Sequence, residues 1–209
     1  MPNTASRLIT ATPKESTRDV LVRTAVALID EIGEPHLRLE TVLQRSGASV
    51  SSLYHYFGNL NGLLCAANIE RFNRYVFADI EYLREHIIQI STNEQFRELV
   101  EKILGMIYSE DRRIQRRHRI DTVHHASASE DFASEIGARH KAAIEQLSSA
   151  LELAKEKRFL RQDLDTLGFS AWFLGNSFGR GLLDIVDDEH ISDLWLKTHK
   201  NACFQLLGM

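Results

Sequence analysis

The side chains of this chain that could do chemistry fall into a few groups, and most exclude themselves on spacing. His118, His124, His125 and His140 invite a metal reading, but no cysteine or carboxylate accompanies them at a recognisable ligand spacing. They read as satisfied or exposed histidines, and no metal is expected. Cys65 and Cys203 stand far apart, match no ligand pattern, and read as small apolar residues of a reducing compartment. Gly175-Asn176-Ser177-Phe178-Gly179-Arg180-Gly181 is glycine-rich, yet it lacks the Gly-Lys-Ser/Thr ending of a phosphate-cradling loop. There is no Gly-x-Ser-x-Gly elbow, no His-Glu-x-x-His and no dinucleotide fingerprint, so no catalytic residue, cofactor or enzymatic activity is expected. Arg112, Arg113, Arg116, Arg117 and Arg119 form a basic run with two readings: a solvated face with acidic neighbours, or a site for an anionic effector.

The remaining group is Ser49, Val50, Ser51, Ser52, Tyr54, His55 and Tyr56, and its meaning depends on the elements around it. Ser16, three residues before Asp19, starts a helix in which Leu21, Ala25, Leu28, Ile29 and Ile32 recur at helical spacing. Gly33 suits the left-handed residue after a helix, and Pro35 prevents continuation. A short helix over Arg38 to Arg45 buries Leu39, Val42 and Leu43. Ser46-Gly47-Ala48 makes a tight turn, and Ser49 caps a second short helix from Val50 to Phe57, anchored by Leu53 and Phe57. Two short helices joined by a glycine turn, the second polar on its outer side, form a helix-turn-helix. In such a unit the second helix enters the major groove of DNA while the first holds it against the backbone. Tyr54 and Tyr56 also admit a plainer reading, as core aromatics with wet tips.

The segment from Ser46 to Phe57 resembles the signature of the TetR family of bacterial regulators. There a small-Gly-small-Ser turn leads into a recognition helix ending in Tyr-x-Tyr/His-Phe. The likeness extends upstream to Asp30-Glu31-Ile32-Gly33 and downstream to the helix opening near Leu60, about the first third of the chain. The resemblance implies that Tyr54 and Tyr56 place phenol hydroxyls on phosphates, with His55 beside them. It also implies that Ser49, Val50, Ser51 and Ser52 face base edges, and that Leu53 and Phe57 pack the helix down. Serine hydroxyls discriminate bases weakly, and Val50 can meet only a thymine methyl. The pattern departs from the family at Leu60, where members usually carry a phosphate-reaching lysine, and at Arg38, which replaces a common threonine. The first 64 residues balance Arg7, Lys14, Arg18, Arg23, Arg38 and Arg45 against Glu15, Asp19, Asp30, Glu31, Glu34 and Glu40. With so few net cations, the expectation is that tyrosines, amides at the Leu60 helix start and a basic arm including Arg7 and Lys14 hold the phosphates.

The rest of the chain reads as helices with short connections, which three prolines and eleven glycines favour over a many-stranded fold. The fold class expected is all-α, with a three-helix DNA-binding domain over residues 1–62 and a helical ligand-binding and dimerisation domain over 63–209. Ala171, Gly175 and Gly179 recur at four-residue intervals, a spacing that lets helices approach closely. With the family's habit of dimerising through its last two long helices, this points to a homodimer interface including Ile144, Leu147, Leu151, Ala171, Gly175, Phe178 and Gly179. The family encloses a ligand pocket among its middle helices. Candidate lining residues are Phe77, Leu99, Ile103, Met106, His124, His140, Trp172 and Asn176, suiting a lipophilic or aromatic effector; each is equally readable as ordinary core. The formal net charge of −4 argues mildly against nucleic-acid binding, although a local face matters more than the total. No secretory core and no bilayer-length apolar run is evident, so a cytoplasmic protein without membrane contact is expected. The function that follows is a ligand-responsive regulator, as a repressor on a palindromic double-stranded DNA operator. The alternative is a ligand-binding protein of the same fold with weakened DNA reading.

Overall fold

The computed structural model describes residues 15–126 and 130–209, without the side chains of residues 73 and 125. The arm with Arg7 and Lys14 and the Ser127-Ala128-Ser129 interruption lie outside the described residues. The architecture is all-α, with no strand among the described residues. Two compact units divide the chain at Ala67 and Asn68.

In the first unit, α1 (Thr17–Ile32) begins as the capping pattern requires, with the Ser16 hydroxyl accepting from the Asp19 amide. It ends at Gly33, whose φ of 80° favours a residue without Cβ. A 3-10 turn over Glu34–His36 leads to α2 (Leu39–Ser46), which stops at left-handed Gly47. Then follow α3 (Val50–Phe57) and the opening turns of α4 (Leu60–Gln89). Leu21, Ile29, Val42, Leu53 and Leu63 are almost wholly buried together, so each short helix is held by one or two side chains inserted into a shared core. Short helices are marginal in isolation, and this packing stabilises them.

The second unit contains the rest of α4, then α5 (Asn93–Ile107), α6 (Arg113–Ala126), α7 (Glu130–Glu156), α8 (Thr166–Val186) and α9 (Glu189–Leu207). Thr92 and Gln95 form a reciprocal capping box at the start of α5. Asp165 and Asp188 cap α8 and α9. The end of α4 is closed from outside: Lys157 Nζ donates to the carbonyls of Ile87, Ile88 and Ile90 at 2.8–2.9 Å. A cation there also opposes the negative end of the helix dipole. Ile87 and Phe96 are fully buried, and Phe96 stacks on Phe159 at 5.5 Å.

Candidate functional site

The first candidate surface is α3. Leu53 is completely buried, and the helical period turns Ser51, Tyr54 and His55 away from it, while Val50, in the first turn, is also exposed. Tyr54 and Tyr56 are exposed by about half their area, which excludes the plainer reading of both as core aromatics. Phe57 packs on the core with the Arg18 guanidinium 5.7 Å over its ring. The Ser49 hydroxyl accepts from the Ser52 amide at 3.1 Å and contacts the Ser51 and Ser52 hydroxyls at 2.8 Å. Ser49 is thereby occupied in starting the helix, and half-buried Ser52 faces it, which leaves Val50, Ser51, Tyr54, His55 and Tyr56 as the outward set.

The Leu60 departure has a local cause. Leu60 packs against the first unit's core, and Asn59 caps α4 by accepting from the Gly62 amide at 3.0 Å. A Cβ on Gly62 would collide with the Phe57 carbonyl oxygen, so glycine lets α3 and α4 join this tightly. The arginines of this unit are largely engaged. Arg23 pairs with Glu15 at 2.8 Å and Arg45 forks onto Glu31 at 2.5 and 2.6 Å. Arg38 Nη1 donates to the carbonyls of Pro35 and Leu37.

The second candidate site is a largely apolar cavity of about 80 Å³ within the second unit. Its walls come from Val76, Asp79, Ile80 and Leu83 on α4, Val100, Ile103, Leu104 and Ile107 on α5, Leu147 and Leu151 on α7, and Phe169, Phe173, Leu174 and Ser177 on α8, with Arg119, Cys203 and Leu207 completing them. Of the residues expected from sequence to line a pocket, only Ile103 lines this cavity. Phe77, Leu99, Met106, Trp172 and Asn176 stand each one position from a lining residue. One residue rotates the direction of a helical side chain by about 100°, so Leu99 and Phe77 serve the surrounding core while Asn176 Nδ2 donates to the Trp172 carbonyl. His124 is exposed, and His140 sits outside the wall, against the edges of the Phe72 and Phe178 rings.

The reading of the arginine run as a solvated face with acidic neighbours holds for exposed Arg117 and for Arg113, paired with Glu110 and Asp187, and needs correction for the other three. Arg112 forks onto Asp79 at 2.9 and 3.3 Å. Arg116 is buried, and its Nε and Nη2 hold both oxygens of Asp184 at 2.7 and 3.0 Å. Arg119 lies over the rings of Phe72 and Phe178, at 5.2 and 4.5 Å, and its Nη1 donates to Ser177 Oγ at 2.9 Å. Burial lowers its pKa to about 10, which leaves it charged at neutral pH. Burial raises the Asp79 carboxyl against the opposing pull of Arg112.

Beside the cavity is a cluster the sequence did not suggest. Tyr108 Oη and His199 Nε2 are 2.9 Å apart, Cys203 Sγ lies 3.6 Å from the same nitrogen, and His199 stacks on Trp172 and Trp195. Burial pushes the thiol up to about 12 and the imidazole down to about 4, and raises the phenol. A neutral thiol beside a neutral imidazole is a poor nucleophile pair. The hydrogen bonds satisfy buried polar atoms instead.

The third candidate surface is on α8 and α9. Ala171 and Gly175 are exposed, and Cβ atoms built on Gly175 and Gly179 meet nothing within 4 Å. Leu167, Leu182, Ile185 and Val186 on α8, with Ile191 and Leu194 on α9, are exposed apolar side chains. Three expected interface residues do not belong to this face. Leu147 and Leu151 are buried against the cavity of the second unit, and Phe178 packs beneath Arg119. Ile144 is half-buried against the same core. The long helix α7 turns its apolar stripe inward because α8 lies against it, so the outward apolar residues fall on the two helices after it.

Among the described residues no helix is long and apolar enough to cross a membrane, and no cluster of potential metal ligands occurs. No protein-family model matches the sequence, and neither does any curated protein. Solved structures do match in fold. A TetR-family transcriptional regulator of Mesorhizobium loti superposes with a TM-score of 0.64 at 13% identity, covering 95% of this chain and 98% of the other. The fatty acid degradation regulator FadR from Bacillus halodurans gives 0.58 at 18%, covering 94% and 97%. Reduced E. coli NemR gives 0.58 at 20%, covering 89% and 96%. The chain therefore has a TetR-like fold along nearly its whole length.

Proposed function

We propose that the chain is a ligand-responsive, DNA-binding transcriptional regulator of the TetR type, acting in the cytoplasm as a homodimeric repressor on a palindromic operator. The observation that carries this reading is α3: buried Leu53 fixes a helix whose outward side is Val50, Ser51, Tyr54, His55 and Tyr56. Such a face offers hydroxyls to base edges and phenols to phosphates, and a helix presented in this way is the groove-reading element of a helix-turn-helix. Full-length likeness to solved regulators supports the reading at the level of fold. The exposed apolar face of α8 and α9 supports a homodimer, whose two-fold symmetry suits a palindromic site. The cavity supports an effector of mainly apolar character. That effector changes operator affinity only by its differential affinity for two states of the protein.

A second reading rests on one observation. Arg23, Arg38 and Arg45 are tied to carboxylates or carbonyls of the first unit, which leaves little cationic surface for phosphates. Under that reading the chain binds its ligand and reads DNA weakly. A genome-fragment selection followed by fluorescence anisotropy separates the two. The expected result is saturable binding that resists random competitor and collapses in a folded Tyr54→Ala, Tyr56→Ala variant. A folded dimer that selects no fragment above competitor refutes the regulator and promotes the second reading.

A further inference from the structure

Four polar side chains border the cavity, and three of them are accounted for. Asp79 is held by the fork of Arg112. Ser177 accepts from Arg119 and donates to the Leu174 carbonyl at 2.6 Å. Cys203 is a neutral thiol beside His199. Arg119 differs: its Nε and Nη2 are sealed from solvent and have no hydrogen-bond partner among the described residues. These two atoms form one edge of the guanidinium. The same edge of Arg116 grips both oxygens of Asp184, and that of Arg161 grips Asp163. A buried charged donor without an acceptor is costly, and folded proteins retain one where something else meets it.

We propose that the Nε–Nη2 edge of Arg119 receives the carboxylate of the effector, whose apolar body fills the cavity; the ligand class is a small monoanionic aliphatic or aromatic carboxylic acid. The inference rests on reading this cavity as the effector site. Charge fixes the valence. Arg112, Asp79 and Arg119 together carry one net positive charge, and one carboxylate neutralises it. His140 stands beside the same rings, with its Nδ1 buried and unpartnered, and burial and the neighbouring Arg119 both hold it neutral, so it adds no second cation. Planar guanidinium edges match carboxylates by two parallel hydrogen bonds, a geometry that a neutral alcohol cannot reproduce. The guanidinium carbon lies over the Phe72 and Phe178 rings and Nη1 is bonded to Ser177, contacts that restrain the group before any ligand arrives. The ligand is small: a cavity of about 80 Å³ is below the roughly 150 Å³ that admits benzene, so longer chains must part its walls.

The test is isothermal titration calorimetry on the full-length protein without DNA, using butanoate, hexanoate, octanoate and benzoate, each against its alcohol and its amide. At least one acid should bind tenfold or more tightly than its neutral partners. Arg119→Met should remove that preference while the alcohols bind as before, and its ligand-free melting temperature should not fall, since an unpaired buried charge has been removed. Arg119→Lys keeps the charge and loses the edge, so it should weaken acid binding at least fivefold and leave the alcohols unchanged; it serves if the methionine variant does not fold. Equal affinity for acids and alcohols overturns the carboxylate assignment and leaves the cavity as an effector site. No binding of any acid, or acid binding untouched by both variants, overturns it as well. Because no operator is present, failure of the DNA-binding reading would show separately, in the anisotropy experiment.

Discussion

Replacing Asp184 with asparagine should cost the second unit more stability than any exposed ion pair does. Asp184 receives the Nε and Nη2 of Arg116 at 2.7 and 3.0 Å and Nη1 of Arg180 at 2.8 Å. The three side chains are 6–10% exposed. Arg116 also donates through Nη1 to the carbonyls of Ile107 and Ser109, so the pair ties α6 to α8 and to the end of α5. Asparagine keeps the shape but removes the one negative charge between two buried cations, and turns an amide NH2 toward guanidinium donors. Breaking a buried pair in this way costs about 3–5 kcal/mol, mostly the penalty of leaving charge uncompensated. For a chain of this size each kcal/mol moves the midpoint by about 2–4 °C, so Tm should fall by roughly 6–20 °C. Thermal and urea unfolding followed by circular dichroism read this directly. Asp163→Asn, which breaks the exposed Arg161 pair, is the control and should leave the midpoint in place. A third variant separates the penalty from the net worth of the network: Arg116→Met, Asp184→Leu, Arg180→Met together should recover most of the loss. A loss below about 1 kcal/mol for Asp184→Asn would mean that water reaches the pair and that the desolvation reasoning fails.

Three further outcomes follow from the same geometry. If residues 1–14 supply the phosphate contacts that the paired arginines do not, their deletion should weaken operator binding and flatten the log–log salt slope. Loss of Arg7 and Lys14 from both protomers amounts to about 3–4 units of slope; an unchanged slope refutes the arm. Leu182→Glu with Ile185→Glu should convert dimer to monomer in sedimentation velocity while leaving the helical signal intact, because both side chains are exposed within the protomer; a persistent dimer refutes the α8 and α9 interface. Burial depresses the His199 imidazole from 6.5 to about 4, so the unfolded chain binds its proton first. The resulting stability is complete above pH 6.5 and is lost as pH falls toward 4, on the order of 2–3 kcal/mol. His199→Gln should flatten denaturant midpoints across that window, and an equally steep dependence in the variant would assign it elsewhere.

Local chemistry made much of this protein legible from its residues alone. Ser16, Asp165 and Ser49 cap the helices they precede because a short side-chain oxygen there meets an amide that the helix leaves free. Gly33, Gly47 and Gly58 end helices at positive φ for a reason confined to their own backbone. Leu53 could be set against Tyr54 and His55 on the two sides of α3 because an eight-residue helix leaves little choice once one anchor is buried.

What sequence could not decide is which of two adjacent positions faces inward on a long helix. The apolar stripe of a core helix is at least 100° wide, and neighbouring residues differ by the same angle. Phe77 and Val76, Leu99 and Val100, Met106 and Ile107, Trp172 and Phe173, and Asn176 and Ser177 therefore satisfied the periodicity equally well. Only the neighbouring helices chose among them. The same ambiguity put Leu147, Leu151 and Phe178 on the dimer side, where packing of α7 and α8 turns them inward. The arginine run shows the limit most clearly. Five similar residues on one stretch of chain acquire separate fates, with Arg112 on Asp79, Arg116 on Asp184 and Arg119 against the cavity. Each fate depends on partners 33 to 68 residues away in the chain, and long-range partners are what folding alone brings within hydrogen-bond reach.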